Sequence, residues 1–525
     1  MKMKWIFVLA LLTGMSFAKA STCRLPDPQA NILTTDWGLD LDNTRFQPAE
    51  KAGLTSQDVP RLKLAWAFRL DRTTDLRSQP VVTSDTVYVG GGDKLYALSS
   101  QTGCIRWQQN IKHEVRTPLL LARLQPKQPP RLFFGDDAGN VYAIDIHDGA
   151  IVWQQSVSTH FSTKLTGSFK LYQGRLYVPV SSQEEFYSIA PFYPCCSFRG
   201  AVVALDAADG KFLWRTYLVP EAQPLDRNWT MVKRWGPSGV AVWSSPAIDT
   251  ERRLLIVATG NNYEKPTTDM SDAIIAMELD TGKIRWVRQI TAGDAWGVGC
   301  ALPGGGCPQK PGYDFDFGAA PVLGELPDGR AVVFAGQKSA IAYALDRNNG
   351  TVIWQTRVGR GGAAGGIHWG IARDEKRLYV PNSDFDVRGY VVLEAENPPG
   401  EKKPGMNALD LATGKLLWHT AEPFPCGKSI ECDNGLSAPP TVIPGVVFAG
   451  SMQGMVNAYA AATGRKIWQA DTTHEVPVVN GGTGNGGAID VQGAVIAGGR
   501  LYVLSGYGTL GKRGNLLLVY STAAP

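Results

Sequence analysis

Histidine is scarce in this chain, six among 525 residues and scattered, which argues against a zinc or copper centre. No C-x-x-C-H occurs, so no c-type haem attaches to these residues. A strong charge of either sign is also lacking. The formal net charge is +4, and it falls to +1 if Lys2, Lys4 and Lys19 leave with a leader. Such a near-neutral chain gives no support to nucleic-acid binding. Long apolar runs are missing beyond the first twenty residues, so no membrane span is expected. Those twenty residues read Lys2 and Lys4, then WIFVLALLTGMSFA, then Ala18-Lys19-Ala20. That order is a secretory signal with an A-x-A cleavage site, which places residues 21–525 in the periplasm. Ser-Thr before Cys23 lacks the context of a lipid attachment site.

Glycine and proline, by contrast, are plentiful at 58 and 33, as suits a turn-dense all-β protein. One thirteen-residue frame returns seven times: an apolar strand, a turn ending in Gly, and a strand carrying Trp. It reads LYALSSQTGCIRW at Trp107, VYAIDIHDGAIVW at Trp153, VVALDAADGKFLW at Trp214 and IIAMELDTGKIRW at Trp286. The frame continues as AYALDRNNGTVIW at Trp354, MNALDLATGKLLW at Trp418 and VNAYAAATGRKIW at Trp468. Alternating apolar residues make half-buried strands, and the Gly supplies the positive φ of a tight turn. Copies 46 to 72 residues apart mean a repeat architecture, here a β-propeller whose blades dock through Trp. RLKLAWAF has Trp66 in phase but no preceding hairpin, and GNLLLVY has a strand with no Trp after it. As ordinary terminal strands they leave seven blades. As halves of one shared blade they close an eight-bladed ring, the reading adopted here. The repeats leave room for a single domain over residues 21–525.

All eight cysteines lie in the exported part, where disulfides form. Cys195 and Cys196 are adjacent, Cys300 and Cys307 enclose a Gly/Pro loop, and Cys426 and Cys432 enclose another. Cys23 and Cys104 then remain as a long-range pair. Separate remote partners for Cys195 and Cys196 are the alternative.

A propeller frame does not name an activity; the loops converging on the axis must. The opening DWGLDLDNTRFQPAEKAGLTSQDVPRLKLAWAF resembles that of pyrroloquinoline-quinone (PQQ) dependent alcohol dehydrogenases. CCSFRGAVVALDAADGK and TGNNYEKPTTDMSDAIIAMELDTGK are most similar to the polyvinyl-alcohol dehydrogenases among them. The resemblance covers essentially the whole mature chain. It implies a calcium ion held against the quinone by a Glu and an Asn. Its pattern falls on Ser181-Ser182-Gln183-Glu184-Glu185, giving Glu185 with Glu184 as fallback, and on Thr259-Gly260-Asn261, giving Asn261. Oxygen donors without His or Cys suit calcium. Either residue alone reads as an ordinary loop residue.

For the cofactor, the resemblance maps a stacking indole onto Trp243, a lysine reaching the quinone oxygens onto Lys338, and a carboxylate-binding arginine onto Arg116. Thr166 and Trp369 are further contacts. Many relatives have Asn where this chain has His368. Many also carry an adjacent-Cys ring over one quinone face, just before that arginine. Here Lys112-His113-Glu114-Val115 stands in that place, and Cys195-Cys196 sits instead in an insertion between Glu185 and Arg199, as a lid from a different loop.

The catalytic base removes the hydroxyl proton while hydride passes from the carbinol carbon to the quinone. The Gly-Asp-Asn motif of better-known relatives is absent, and the shorter loop offers Asp272, which opens a strand, narrowly ahead of Asp269. The implied function is a periplasmic, calcium- and PQQ-dependent dehydrogenase oxidising alcohols, notably secondary alcohols such as those along polyvinyl alcohol, to ketones. Electrons would pass to a separate cytochrome c. The rival reading is a non-enzymatic propeller scaffold of the kind that assists outer-membrane protein assembly. Such a scaffold has no need of Glu, Asn, Lys and Trp converging on the axis. A six-bladed aldose sugar dehydrogenase lacks these Trp repeats.

Overall fold

The computed structural model describes residues 23–301, 305–385, 398–422, 435–509 and 511–523. The leader at 1–20 and the Cys426–Cys432 pairing lie outside them. Eight antiparallel blades follow one another in chain order. Blades 1 to 7 span residues 81–110, 120–156, 163–217, 247–289, 322–357, 372–421 and 441–471. Blade 8 is shared: Lys63–Arg69 pairs with Leu516–Ser521 as the outermost strand of the C-terminal sheet. The ring therefore closes at eight through the two terminal strands, and Trp66 is its eighth docking indole.

Each repeat binds the next by the same two contacts. The indole N–H of Trp107 donates to the Ile146 carbonyl at 2.9 Å, and that of Trp153 to Ala207 at 3.1 Å. Trp214, Trp286, Trp354 and Trp418 do the same with Leu279, Arg347, Leu411 and Ala461. Closure follows as Trp468 donates to Leu62 and Trp66 to Ser100. The repeated Gly is required twice over. From Gly103 to Gly464 its φ lies between +69° and +79° in all seven copies. A Cβ there would also come within 2.5 to 2.8 Å of the preceding blade's indole. Eight apolar clusters fill the eight junctions between neighbouring blades, which puts the core between sheets and leaves the axis to loops.

Antiparallel order sorts those loops by end. Turns joining second to third strands, and segments joining one blade to the next, share one end of the ring; the Gly hairpins share the other. Across the hairpin end of the axis runs the segment 33–47, which hydrogen-bonds the innermost strand of every blade. Its contacts include Thr34 with Val82, Thr35 with Leu121, and Asp36 and Asp40 with Lys170. They continue through Leu41, Asp42, Thr44 and Arg45 to Ile248, Leu323, Arg373 and Val442, and end with Gln47 on Ile496. The channel is thus stoppered at one end and lined for chemistry at the other.

Candidate active site

Every residue that the sequence singled out lies at the open end or in the wall beside it, Asp269 on an exposed part of its turn. Asn261, Asp272 and Lys338 stand in second-to-third strand turns, of blades 4, 4 and 5, and Glu185 in the corresponding turn of blade 3. Arg116, Trp243 and Trp369 stand in segments that lead into blades 2, 4 and 6, and Thr166 lies between Thr163–Lys164 and Lys170–Tyr172 on the inner side of blade 3.

The structure separates the two glutamates cleanly. The Glu184 carboxylate is fully buried and accepts from the Ser197 and Phe198 N–H groups at 2.8 and 2.7 Å and from the Tyr193 hydroxyl at 2.8 Å. It pins the loop carrying Cys195-Cys196 and has no capacity left for an ion. Glu185 is partly exposed, and its carboxyl is pushed up to about 7 by burial and by Asp316, with Lys338 opposing. Asn261 is fixed at both ends: its N–H donates to Asp316 Oδ1 at 2.7 Å and its side-chain amide to the Trp296 carbonyl at 2.9 Å. The amide nitrogen being committed, the oxygen is the end left for a cation.

Lys338 joins this set through Asp316 Oδ2 at 2.9 Å and Asp314 Oδ2 at 3.0 Å, and its ammonium lies 5.3 Å from the centroid of the Trp243 ring. Trp243 is itself partly exposed, edge-on to Trp369 at 4.9 Å. Gly318 passes so close that a Cβ there would overlap the indole. Sequence reasoning missed Asp314 and Asp316. The signal was present as the Asp-Phe-Asp triplet before the first strand of blade 5, but nothing in the pattern tied it to Glu185 more than 120 residues earlier.

Asp272 is fully buried, its φ is +50°, and neither carboxylate oxygen has a hydrogen-bond partner. Burial, then Asp294, Asp316 and Asp314, raise it well above the usual carboxylate range. Asp314 is raised likewise, by burial first, against the pull of Lys338, and its Oδ1 has no partner either. Asp269, in contrast, is exposed and outside this group.

A basic side faces the acidic one. Arg116 Nε donates to Thr166 Oγ1 at 3.2 Å, and Ser181 Oγ reaches the same hydroxyl at 3.1 Å. Burial and repulsion from Arg77 bring the Arg116 guanidinium down to about 9. Arg77, also missed by sequence, lies over Tyr507 at 4.7 Å and has a weak bond to Thr509. His368 bonds Ser437 at 2.9 Å and is held neutral, well below its ordinary value, by burial and Lys338. The indole N–H of Trp369 is buried and turned toward the Asp490 carboxyl. Cys195 and Cys196 form a disulfide, as do Cys23–Cys104 and Cys300–Cys307. The adjacent pair is buried with Phe198, Tyr263 and Ala241 in a cluster that has Trp243 at its edge.

These residues fit a flat, multiply anionic quinone with a cation beside it. Two arginines with little anionic partnership suit carboxylates, the exposed indole suits a planar ring, and unpartnered carboxylate oxygens suit a metal. Among the described residues no three His, Cys, Asp or Glu side chains could hold a metal by themselves, so a cation here needs the Asn261 amide and oxygens from the cofactor.

Known proteins resemble this chain. The chain is 37% identical over 95% of its length to the polyvinylalcohol dehydrogenase of a Pseudomonas species, covering 79% of that protein. To the polyvinylalcohol dehydrogenase of Sphingopyxis sp. strain 113P3 it is 37% identical, over 92% of this chain and 76% of that one. The chain belongs to the quinoprotein alcohol dehydrogenase family. The solved quinohemoprotein alcohol dehydrogenase of Comamonas testosteroni superposes with a TM-score of 0.66, at 19% identity, over 94% of this chain and 81% of that one, a likeness of fold. A family model described as outer membrane protein assembly factor BamB matches residues 54–356. That span holds five of the seven Trp hairpins and ends before Trp369. The dehydrogenase likeness extends beyond it, into loops that carry Trp369 and the approach to blade 8. Family membership implies PQQ and an alcohol substrate, and no described helix is long and apolar enough to cross a membrane.

Proposed function

We propose that this quinoprotein is a periplasmic dehydrogenase that uses PQQ and calcium to oxidise secondary alcohols, those along polyvinyl alcohol included, to ketones, passing electrons to a cytochrome c. The observation that carries it is the axial charge set: Glu185, Asp272, Asp294, Asp314 and Asp316 around one lysine, beside an open indole and two buried arginines. Five acids crowd one Lys338, and a hard divalent cation would favour their ionised forms. The names of the two polyvinylalcohol dehydrogenases support the substrate class, and the leader supports the compartment.

Glu185 and the Asn261 amide oxygen would hold the cation. Trp243 would support one face of the cofactor, with Arg77, Arg116 and Thr166 on its carboxylates and Lys338 on its ring oxygens; the disulfide Cys195–Cys196 would back the wall that Trp243 edges. Bound PQQ supplies the two-electron acceptor, and the cation polarises its reactive carbonyl. Asp314 takes the hydroxyl proton at Oδ1, since Lys338 on its other oxygen favours the ionised form and the free oxygen has an acceptor to offer. Asp272 is the competing base, raised likewise by burial but with no cation bonded to either oxygen.

The test is reconstitution of the purified mature chain with PQQ and calcium, followed by dye reduction with secondary alcohols. Asp314→Asn should lower turnover by about 10²–10⁴-fold, the usual worth of a general base, while Asp269→Asn leaves it unchanged. Loss confined to Asp272→Asn would return the role to Asp272. No dye reduction by the loaded parent would defeat the enzyme reading.

A further inference from the structure

A run of large apolar side chains stands in the open at the catalytic end. Phe161 is 71% exposed, Phe192 71%, Trp229 70% and Met231 67%, with Phe186 and Tyr187 nearly half exposed. Single exposed apolar residues need no explanation, but a contiguous set does. This set gathers on neighbouring loops, with three rings in contact at its centre. Phe161 lies 5.6 Å from Tyr187 and 6.4 Å from Tyr193 between ring centroids, and Tyr187 lies 5.6 Å from Tyr193. The hairpin 223–236 brings Trp229 and Met231 to the same loop, because Asn228 and Thr230 both bond the Pro191 carbonyl, at 2.9 and 2.8 Å.

The set is also braced. Glu184 fixes residues 193–198 by accepting from two N–H groups, that of Ser197 shared between both carboxylate oxygens, and from the Tyr193 hydroxyl. Trp235 exchanges backbone bonds with Cys195 and Cys196 at 3.0 Å each. The aromatic surface therefore sits on a prearranged frame, which reduces the ordering cost of binding. Beside it opens a groove of about 580 Å³ lined by Phe161, Tyr193, Tyr217 and Trp235, with His160 and Arg199 as polar groups. At its other side the surface reaches Glu185, which immediately precedes Phe186 and Tyr187 in the single helical turn Glu184–Tyr187.

From these contacts we infer that Phe161, Phe192 and Trp229, with the adjoining groove, form an extended subsite for the unreacted stretches of a long polyalcohol chain. The inference rests on the dehydrogenase reading and assigns it a substrate-length specificity. A chain of alternating methylene and carbinol units presents an apolar edge to rings and hydroxyls to polar groups, and this surface offers both. Continuity with Glu185 is what selects such an occupant: this rim borders the axial site, where a long chain reacting there can lie across it. A short alcohol never reaches it.

The experiment uses the loaded full chain, an artificial dye as acceptor, and two substrates, polyvinyl alcohol and 2-pentanol. The variant Phe161→Ala/Phe192→Ala/Trp229→Ala alters exposed side chains only. It should raise KM for the polymer by about tenfold or more, as loss of an aromatic anchor does, and leave kcat and KM for 2-pentanol unchanged. Phe161→Tyr/Trp229→Phe should keep polymer KM near the parent value. In parallel, binding of polyvinyl alcohol to the protein without PQQ, read by calorimetry, should weaken in the triple variant. Unchanged polymer KM and unchanged binding overturn the proposal. So does a loss seen only when a cytochrome c replaces the dye, and with both substrates alike, which makes the surface a docking site for the acceptor. If the parent oxidises neither alcohol, the dehydrogenase reading fails by itself, and the binding comparison still decides whether this surface takes the polymer.

Discussion

Glu184 and Glu185 are neighbours of one residue type with opposite duties, and the difference lies in where their oxygens go. Truncating Glu184 leaves two N–H groups, that of Phe198 buried, and a half-buried hydroxyl without their acceptor. Glu184→Ala should therefore cost about 3 kcal/mol or more in urea unfolding, with calcium binding by the folded fraction retained. Glu185→Gln should show the converse: apo stability at or above the parent's, because one acid leaves a crowded negative set, and no calcium-dependent rise in melting temperature. Asp490 supplies a pH signature away from the cation. Burial lifts its carboxyl from the ordinary value to about 6, with Ser437, Trp369 and Arg77 opposing. The folded form then holds a proton that the unfolded form releases between about pH 4 and 6, so stability declines as pH rises through that window. Asp490→Asn should match the parent at pH 4 and exceed it by up to about 3 kcal/mol at pH 7, measured as the difference in denaturant midpoints. A constant difference across that range would disprove the assignment.

Within an element, the repeated hairpin turns on a Gly that carries both a backbone and a packing demand, and two positions separate these. Gly210 has φ +77° and would put a Cβ 2.8 Å from the Trp153 ring; Gly174 has φ +76° and nothing within 4 Å. Gly174→Ala should thus cost only the backbone strain, about 1 kcal/mol, whereas Gly210→Ala should cost two to three times that, roughly 2–3 kcal/mol, by displacing an indole. Equal losses in urea midpoints would mean that the indole yields freely. This double constraint is also why the hairpins were legible in the sequence: Gly and Trp recur at one spacing because each needs the other across a blade junction. The innermost strands were not legible. Several are two or three residues long, too short to show a period, and they are fixed by partners elsewhere in the chain. The acids of the site were half legible for the same reason. Glu185 and Asn261 stand in motifs with local spacing, while Asp294, Asp314 and Asp316 acquire meaning only when the segment joining blades 4 and 5 meets the turns of blades 3, 4 and 5.

Over the whole molecule, a ring of blades docked by nearest-neighbour contacts would let a local fault stay local. The segment 33–47 changes that, since it touches all eight innermost strands, and no periodicity in the sequence announces it. Arg45 shows the consequence. Its guanidinium, fully buried and brought down to about 9 by desolvation, bonds the Pro440 carbonyl at 2.6 Å and Thr441 at 2.7 Å in blade 7 and Gln79 at 3.2 Å beside blade 1. It also reaches the Trp37 carbonyl and stacks on that indole at 4.5 Å. One side chain thus couples two blades that are separated in the ring by blade 8. Arg45→Met, close in volume but without donors, should cost about 3–5 kcal/mol, the usual price of breaking a buried charged network. The distinguishing measurement is amide exchange. Protection should fall together in Val81–Val82 of blade 1 and Thr441–Ile443 of blade 7, with the outer strands of both blades spared. If exchange quickens in blade 7 alone, or spreads evenly around the ring, the axial segment is a passenger and nearest-neighbour docking carries the stability unaided.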